Sequence, residues 1–197
     1  MARDTAKKRE ALRTRLIDIA ESRIAEGGLE TLKARDLAKE AGISVGAIYN
    51  VFGDIRELVL AVNGRTFKRI GETVGAASHA RSPSPEQTLV ALSTAYLNFA
   101  IDNRLLWRAL FDVELTEASG VPEWYMAELG RLFAFISEPL AKVYPDYSPD
   151  DIELMTRALF SSVHGIVLLG LENRISGVPS RDLERMIELV LTNIATR

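Results

Sequence analysis

The chain has 197 residues, of which 47% are hydrophobic, and a formal net charge of −3; that apolar content is enough for a packed core and excludes disorder as the main state. It has no cysteine, which excludes disulfides, cysteine nucleophiles and thiolate metal sites together and fits a reducing compartment. The charge is unevenly spread: residues 1–69 hold 14 Lys+Arg against 10 Asp+Glu, a net of +4, whereas residues 70–197 hold 10 against 17, a net of −7, so the two parts face different partners.

The N-terminus, "MARDTAKKREALRTRL", carries positive charge without an apolar run behind it and does not read as a signal peptide. The most apolar stretch, Gly165 to Leu171, is far shorter than the roughly 20 residues that span a bilayer. A cytoplasmic protein without membrane contact is therefore expected.

The helical period governs nearly every segment. Leu12, Leu16, Ile19, Ala20 and Ile24 form one stripe of a first helix, stopped by Gly27-Gly28. "ARDLAKEAG" makes a short second helix with Leu37, Ala38 and Ala41 inward and Gly42 as its left-handed end. Ser44 caps a third, running through about Val51, and a longer one follows the Gly53-Asp54 break with Leu58 and Val62 inward. Ser84 and Pro85 are a cap-then-proline start for a helix to about Asp102. "RLLWRALFDVEL" is a short helix, and Pro122 opens one to about Tyr144 that Pro139 is expected to kink or end. Ser148-Pro149 start the next, to about Arg174, with Asp150 and Asp151 matching its positive end. The last runs from Arg181 to Ala195. No strand or repeat emerges, and the expected fold is all-α.

Two helices of about two turns joined by a tight glycine turn, behind a longer first helix, have the build of a helix-turn-helix. Gly42 takes the strained backbone, Ile43 buries under the angle, Ser44 caps, and Ile48 anchors the third helix. Val45, Gly46, Ala47, Tyr49 and Asn50 are left around its outer and N-terminal faces, where small side chains at Gly46 and Ala47 permit close approach to base edges. Alone, this is also how any two packed helices and a turn would read. Its position in the one basic region, behind Arg3, Lys7, Lys8, Arg9, Arg13 and Arg15, favours a DNA footprint.

"LKARDLAKEAGISVGAIYNVFGDIRELVLAV" resembles the DNA-binding domain of the TetR family of bacterial transcriptional repressors, through Leu37, Ala38, Gly42, Ser44, Ile48, Tyr49, Phe52, Glu57 and Leu58. The resemblance covers about residues 8 to 62. It implies phosphate contacts for Arg35 and Tyr49 and base-facing positions for Val45, Gly46, Ala47 and Asn50. Three positions depart from the family pattern: Lys33 where a capping threonine or serine is usual, Val51 for a histidine, and Ile55 where a lysine meets phosphate, with Arg56 beside it as a candidate replacement. By the same resemblance residues 1–54 form the helix-turn-helix domain, 55–82 a connecting helix and linker, and 83–197 a ligand-binding and dimerisation domain.

The acidic part concentrates aromatic residues. Phe99, Trp107, Phe111, Trp124 and Phe133 are pocket candidates, although aromatics at helical spacing are also ordinary core. "FSSVHGIVLLGL" resembles a C-terminal type of the family named for a tryptophan, histidine, glycine signature, with Phe160 in place of the tryptophan; His164 either lines the pocket or is a satisfied core histidine. The resemblance implies release of DNA by a small molecule. Met155, Leu159, Ser162 and Ile166 in the eighth helix and Leu183, Ile187, Val190 and Ile194 in the ninth give more apolar face than one neighbour needs, which predicts a homodimer with two reading helices about 34 Å apart; a monomer with buried terminal helices is the alternative.

An enzyme lacks parts here: there is no P-loop, no GxGxxG, no HExxH, and two histidines far apart make no metal or nucleophile set. No cofactor or metal is expected. The competing class is a helical small-molecule or protein-interaction module without sequence-specific DNA binding.

Overall fold

The computed structural model describes residues 2–79, 84–113, 120–172 and 179–195. The end of the expected connecting segment 55–82 and the residues around Arg174 lie outside these. Among the described residues the chain is all-α, with nine helices: α1 (Ala2–Gly27), α2 (Ala34–Ala41), α3 (Val45–Tyr49), α4 (Ile55–His79), α5 (Pro85–Asp102), α6 (Arg104–Asp112), α7 (Glu123–Val143), α8 (Pro149–Leu171) and α9 (Leu183–Ala195).

The expected caps form. Ser84 Oγ accepts from the Gln87 N–H at 3.4 Å, and Ser148 Oγ accepts from the Asp151 N–H at 3.1 Å. Two elements differ from expectation. α1 begins ten residues before its apolar stripe, because Ala, Lys, Arg and Glu sustain a helix with no buried face. α7 continues through Pro139, which neither kinks it enough to divide it nor ends it. The turns beyond the proline are held from outside the helix, since Leu140 and Tyr144 are buried, and that packing offsets the lost hydrogen bond.

The contacts divide the chain into two compact units, Met1–Phe67 with Asn103–Tyr125, and Lys68–Asp102 with Met126–Arg197. This partition differs from the linear boundaries read from sequence because α6 returns to the N-terminal core. There Leu106 and Ala109 pack with Leu16, Ile24, Leu37, Ile48, Phe52 and Leu58.

In the second unit α9 packs against α5 and α8. Gly170 lets α8 and α9 approach so closely that a Cβ there would collide with Leu183. The seven-residue apolar run at Gly165 lies within α8, which at 23 residues is long and apolar enough by length and composition to cross a bilayer. Here α8 buries Ile152, Thr156, Leu159, Val163 and Val167 within its unit.

Candidate nucleic-acid interface

A five-residue helix cannot hold itself together, so α3 is held by its surroundings. Gly42 ends α2 at φ 64°, ψ 36°, the left-handed region that favours glycine, and its amide reaches back to the Ala38 and Lys39 carbonyls. The Ile43 N–H donates to the Ala38 carbonyl at 2.9 Å, which completes a Schellman-type end. Ser44 then caps α3, its Oγ accepting from the Ala47 N–H at 3.3 Å. Ile48 and Phe52 are fully buried and Val51 nearly so.

With that side pinned, Gly46, Tyr49 and Asn50, at i, i+3 and i+4, share the opposite face and are exposed, Tyr49 to 47%. A Cβ added to Gly46 would meet nothing nearer than Ser44 Oγ at 4.0 Å. Neither φ nor packing among the described residues therefore requires a glycine there. Val45 and Ala47 are half-buried, and Val45 packs against the core, so it is the least available of the expected base-facing positions.

The cations follow a similar division. Arg35 and Lys39 lie one turn apart on the exposed side of α2 and make no ion pair within the described chain, as does Lys33. Lys33 precedes α2 without a side-chain capping bond, as expected for a residue that cannot accept one. Ile55 is half-buried against the core, and Arg56 beside it lies 3.9 Å from the Asp54 carboxylate. Other cations brace the unit: Arg23 pairs with Glu40 at 2.8 Å, and Arg65 with Asp18 at 2.6 Å and Glu21 at 2.9 Å.

Two supports were not foreseen. The Glu57 N–H donates to Asp54 Oδ1 at 2.7 Å while the Glu57 carboxylate accepts the Gly53 N–H at 2.6 Å, a reciprocal box at the start of α4 that the spacing Asp-x-x-Glu could have announced. The Arg13 guanidinium lies 5.3 Å from the Phe52 ring centroid, a cation–π contact with no local signal in sequence. A groove of about 730 Å³ beside it is lined by Arg9, Arg13, Val51 and Glu57.

The pocket candidates are divided between the two units. Trp107, Phe111 and Trp124 belong to the first unit, where Trp107 is buried with its ring 5.4 Å from Phe111, and the other two are exposed. In the second unit Phe99 is buried. His164 is half-buried, stacked on Phe160 at 5.5 Å, with Nδ1 3.0 Å from the Tyr96 hydroxyl, and burial lowers its pKa. Of the six, only Phe133 lines the groove of about 620 Å³ between α7 and α8, with Gly130, Tyr147, Ile152 and Arg157.

The expected dimer seam needs correction in part. Leu159, Leu183 and Ile187 are buried within their own chain, so they have no surface left for a second copy. Met155, Ile166 and Val190 are half-buried and Ser162 exposed; the Ile194 side chain lies outside the described residues. The described residues hold no group of three acidic or histidine side chains placed to bind a metal ion.

Comparison with known proteins accounts for both parts of the chain. Residues 16–62 match the family model "Bacterial regulatory proteins, tetR family" and residues 89–194 the model "Tetracyclin repressor-like, C-terminal domain". The latter is the C-terminal type supported, in place of the tryptophan, histidine, glycine likeness. No curated protein matches the chain. Among solved structures, a protein of unknown function from Rhodococcus sp. RHA1 is 23% identical with a TM-score of 0.74, covering 92% of this chain and 94% of that one. RolR in complex with resorcinol is 21% identical with a TM-score of 0.70 over 96% and 89%. FadR from Bacillus subtilis with stearoyl-CoA is 16% identical with a TM-score of 0.68 over 93% and 97%. These likenesses concern the fold. The family models, one of them spanning more than half of the sequence, carry the assignment: the chain belongs to the TetR family of DNA-binding, non-enzymatic transcription regulators.

Proposed function

We propose that this regulator is a cytoplasmic repressor. As a homodimer it places one α3 in each half-site of a palindromic operator, and it lets go when a small apolar or aromatic molecule occupies the second unit. The observation that carries the reading is the bare face of α3, where Gly46, Tyr49 and Asn50 stand outward although nothing among the described residues calls for a glycine at 46. In a major groove that gap brings the backbone near base edges while Asn50 offers a paired donor and acceptor. Arg35 and Lys39, exposed on α2 and without an ion pair among the described residues, would meet phosphates, with the hydroxyl of the exposed Tyr49 on α3 as a further donor.

A second copy is expected on the solvent side of α8, where Leu154, Ala158, Ser161, Gly165 and Leu169 follow one another at helical spacing, with exposed Leu189 on α9. The small-molecule part is supported by the relatives of similar fold bound to resorcinol and stearoyl-CoA.

Fluorescence anisotropy with a duplex from upstream of the protein's own gene tests the reading. Binding should weaken steeply as salt rises. Tyr49→Ala should lose roughly tenfold or more in affinity with its unfolding temperature unchanged. Equal affinity of variant and parent removes α3 from the interface.

A further inference from the structure

α4 leaves α3 through the Asp54–Glu57 box and two turns later meets residues from much further along the chain. A Cβ at Gly64 would lie 2.9 Å from Cζ3 of Trp124 in α7, so the indole sits where it does only because residue 64 has no side chain. Asn63, one position earlier and 0% exposed, donates from Nδ2 to the Ala109 carbonyl of α6 at 3.1 Å. Its Oδ1 is buried without a hydrogen-bond partner among the described residues, and its side chain lies beside the Tyr125 hydroxyl. Tyr125 is buried, with its ring 5.0 Å from that of Phe67 and 5.6 Å from that of Trp124. Burial pushes its hydroxyl pKa up. One side of α4, at positions 63, 64 and 67, is thus clasped by the middle of α6 and the first turn of α7.

All these groups belong to the unit that carries α3. Above the clasp, Leu58 and Val62 of α4 share one core with Ile48 and Phe52, the residues that seat α3. Interiors this close-packed pass displacement on instead of absorbing it. A helix pushed sideways at residue 64 shifts the floor under Ile48.

We propose that Trp124 and Tyr125 are positioning residues for DNA recognition, which set the line of α4 and through it the seat of α3. They act without facing DNA. The claim rests on the reading of α3 as the groove element, and it adds α6 and the first turn of α7 to what operator binding requires.

The test uses the full-length protein and the same labelled duplex. Gly64→Ala forces the indole off its seat and should weaken binding roughly tenfold while helical content and unfolding temperature hold. Adding Trp124→Ala frees the space and should restore most of the affinity. Tyr125→Phe keeps the ring and removes only the hydroxyl, and it should weaken binding in the same sense by a smaller factor. Parent-like affinity in both Gly64→Ala and Tyr125→Phe overturns the proposal, as does a loss in Gly64→Ala that tracks unfolding and is not relieved by Trp124→Ala. If Gly64→Ala does not fold, Tyr125→Phe alone decides, and unchanged affinity is a negative answer. Tyr49→Ala separates the two claims: if it binds like the parent, the α3 reading fails, and if it loses binding while the clasp variants do not, only the positioning role fails.

Discussion

α3 has five residues and α8 has 23, yet both keep one face bare, and the two faces differ in kind. The outward residues of α3 are small or polar around one aromatic, on a helix too short to persist without its cap and its two buried anchors. One outward stripe of α8 carries Leu154, Ala158, Ser161 and Leu169, next to the exposed Glu153 and Arg157, on a helix long enough to stand by its own hydrogen bonds, and Leu154 is 66% exposed. A bare polar face on a borrowed scaffold suits recognition of an edge lined with donors and acceptors. A bare apolar face on a rigid rod suits another copy of itself.

Breaking the scaffold under α3 should have the largest effect. Phe52 is fully buried beneath Arg13, and Phe52→Ala should cost about 3–5 kcal/mol of stability, read by urea denaturation; a loss below about 1 kcal/mol would mean that α3 is seated by its caps alone. Next comes the α8 face. Leu154→Asp with Leu169→Asp should give folded monomers in sedimentation, whereas Leu183→Asp with Ile187→Asp should unfold the second unit. If the first pair leaves a dimer intact, the copies meet elsewhere. The smallest effect concerns pH. Burial holds the His164 pKa below its ordinary value, so the unfolded chain takes up a proton first as pH falls. The contribution of His164 is full above the unfolded pKa of about 6.5 and declines as pH drops below it towards the folded value. His164→Gln should flatten the slope of unfolding temperature between pH 7.5 and 5; an unaltered slope would assign it to other groups.

The comparison also shows what a linear pattern can carry. α5 begins and ends where Ser84-Pro85 and the apolar stripe place it, and the Gly42 turn, the Ser44 cap and the Ile48 anchor are local devices with local signatures. What periodicity cannot say is whose surface an apolar face meets. Leu183 and Ile187, expected at a dimer seam, are buried within their own chain, where α9 packs on α5 and α8 and Gly170 is cut back to admit Leu183. Trp107 and Trp124 were likewise read as part of the acidic bundle, because nothing along the chain announces that α6 and the first turn of α7 return to the N-terminal core. Pro139 failed as a stop for the same reason: burial of Leu140 and Tyr144 overrode a local rule.

The early start of α1 has its own consequence. A helix of 26 residues is a rod of about 39 Å, so Arg3, Lys7 and Arg9 ride on a stiff mast instead of trailing on a tether. A tether must surrender its freedom each time it settles along a duplex, at roughly 1–2 kcal/mol for every backbone unit frozen. The mast has already surrendered it during folding, and its cations meet phosphate at fixed stations or miss it altogether.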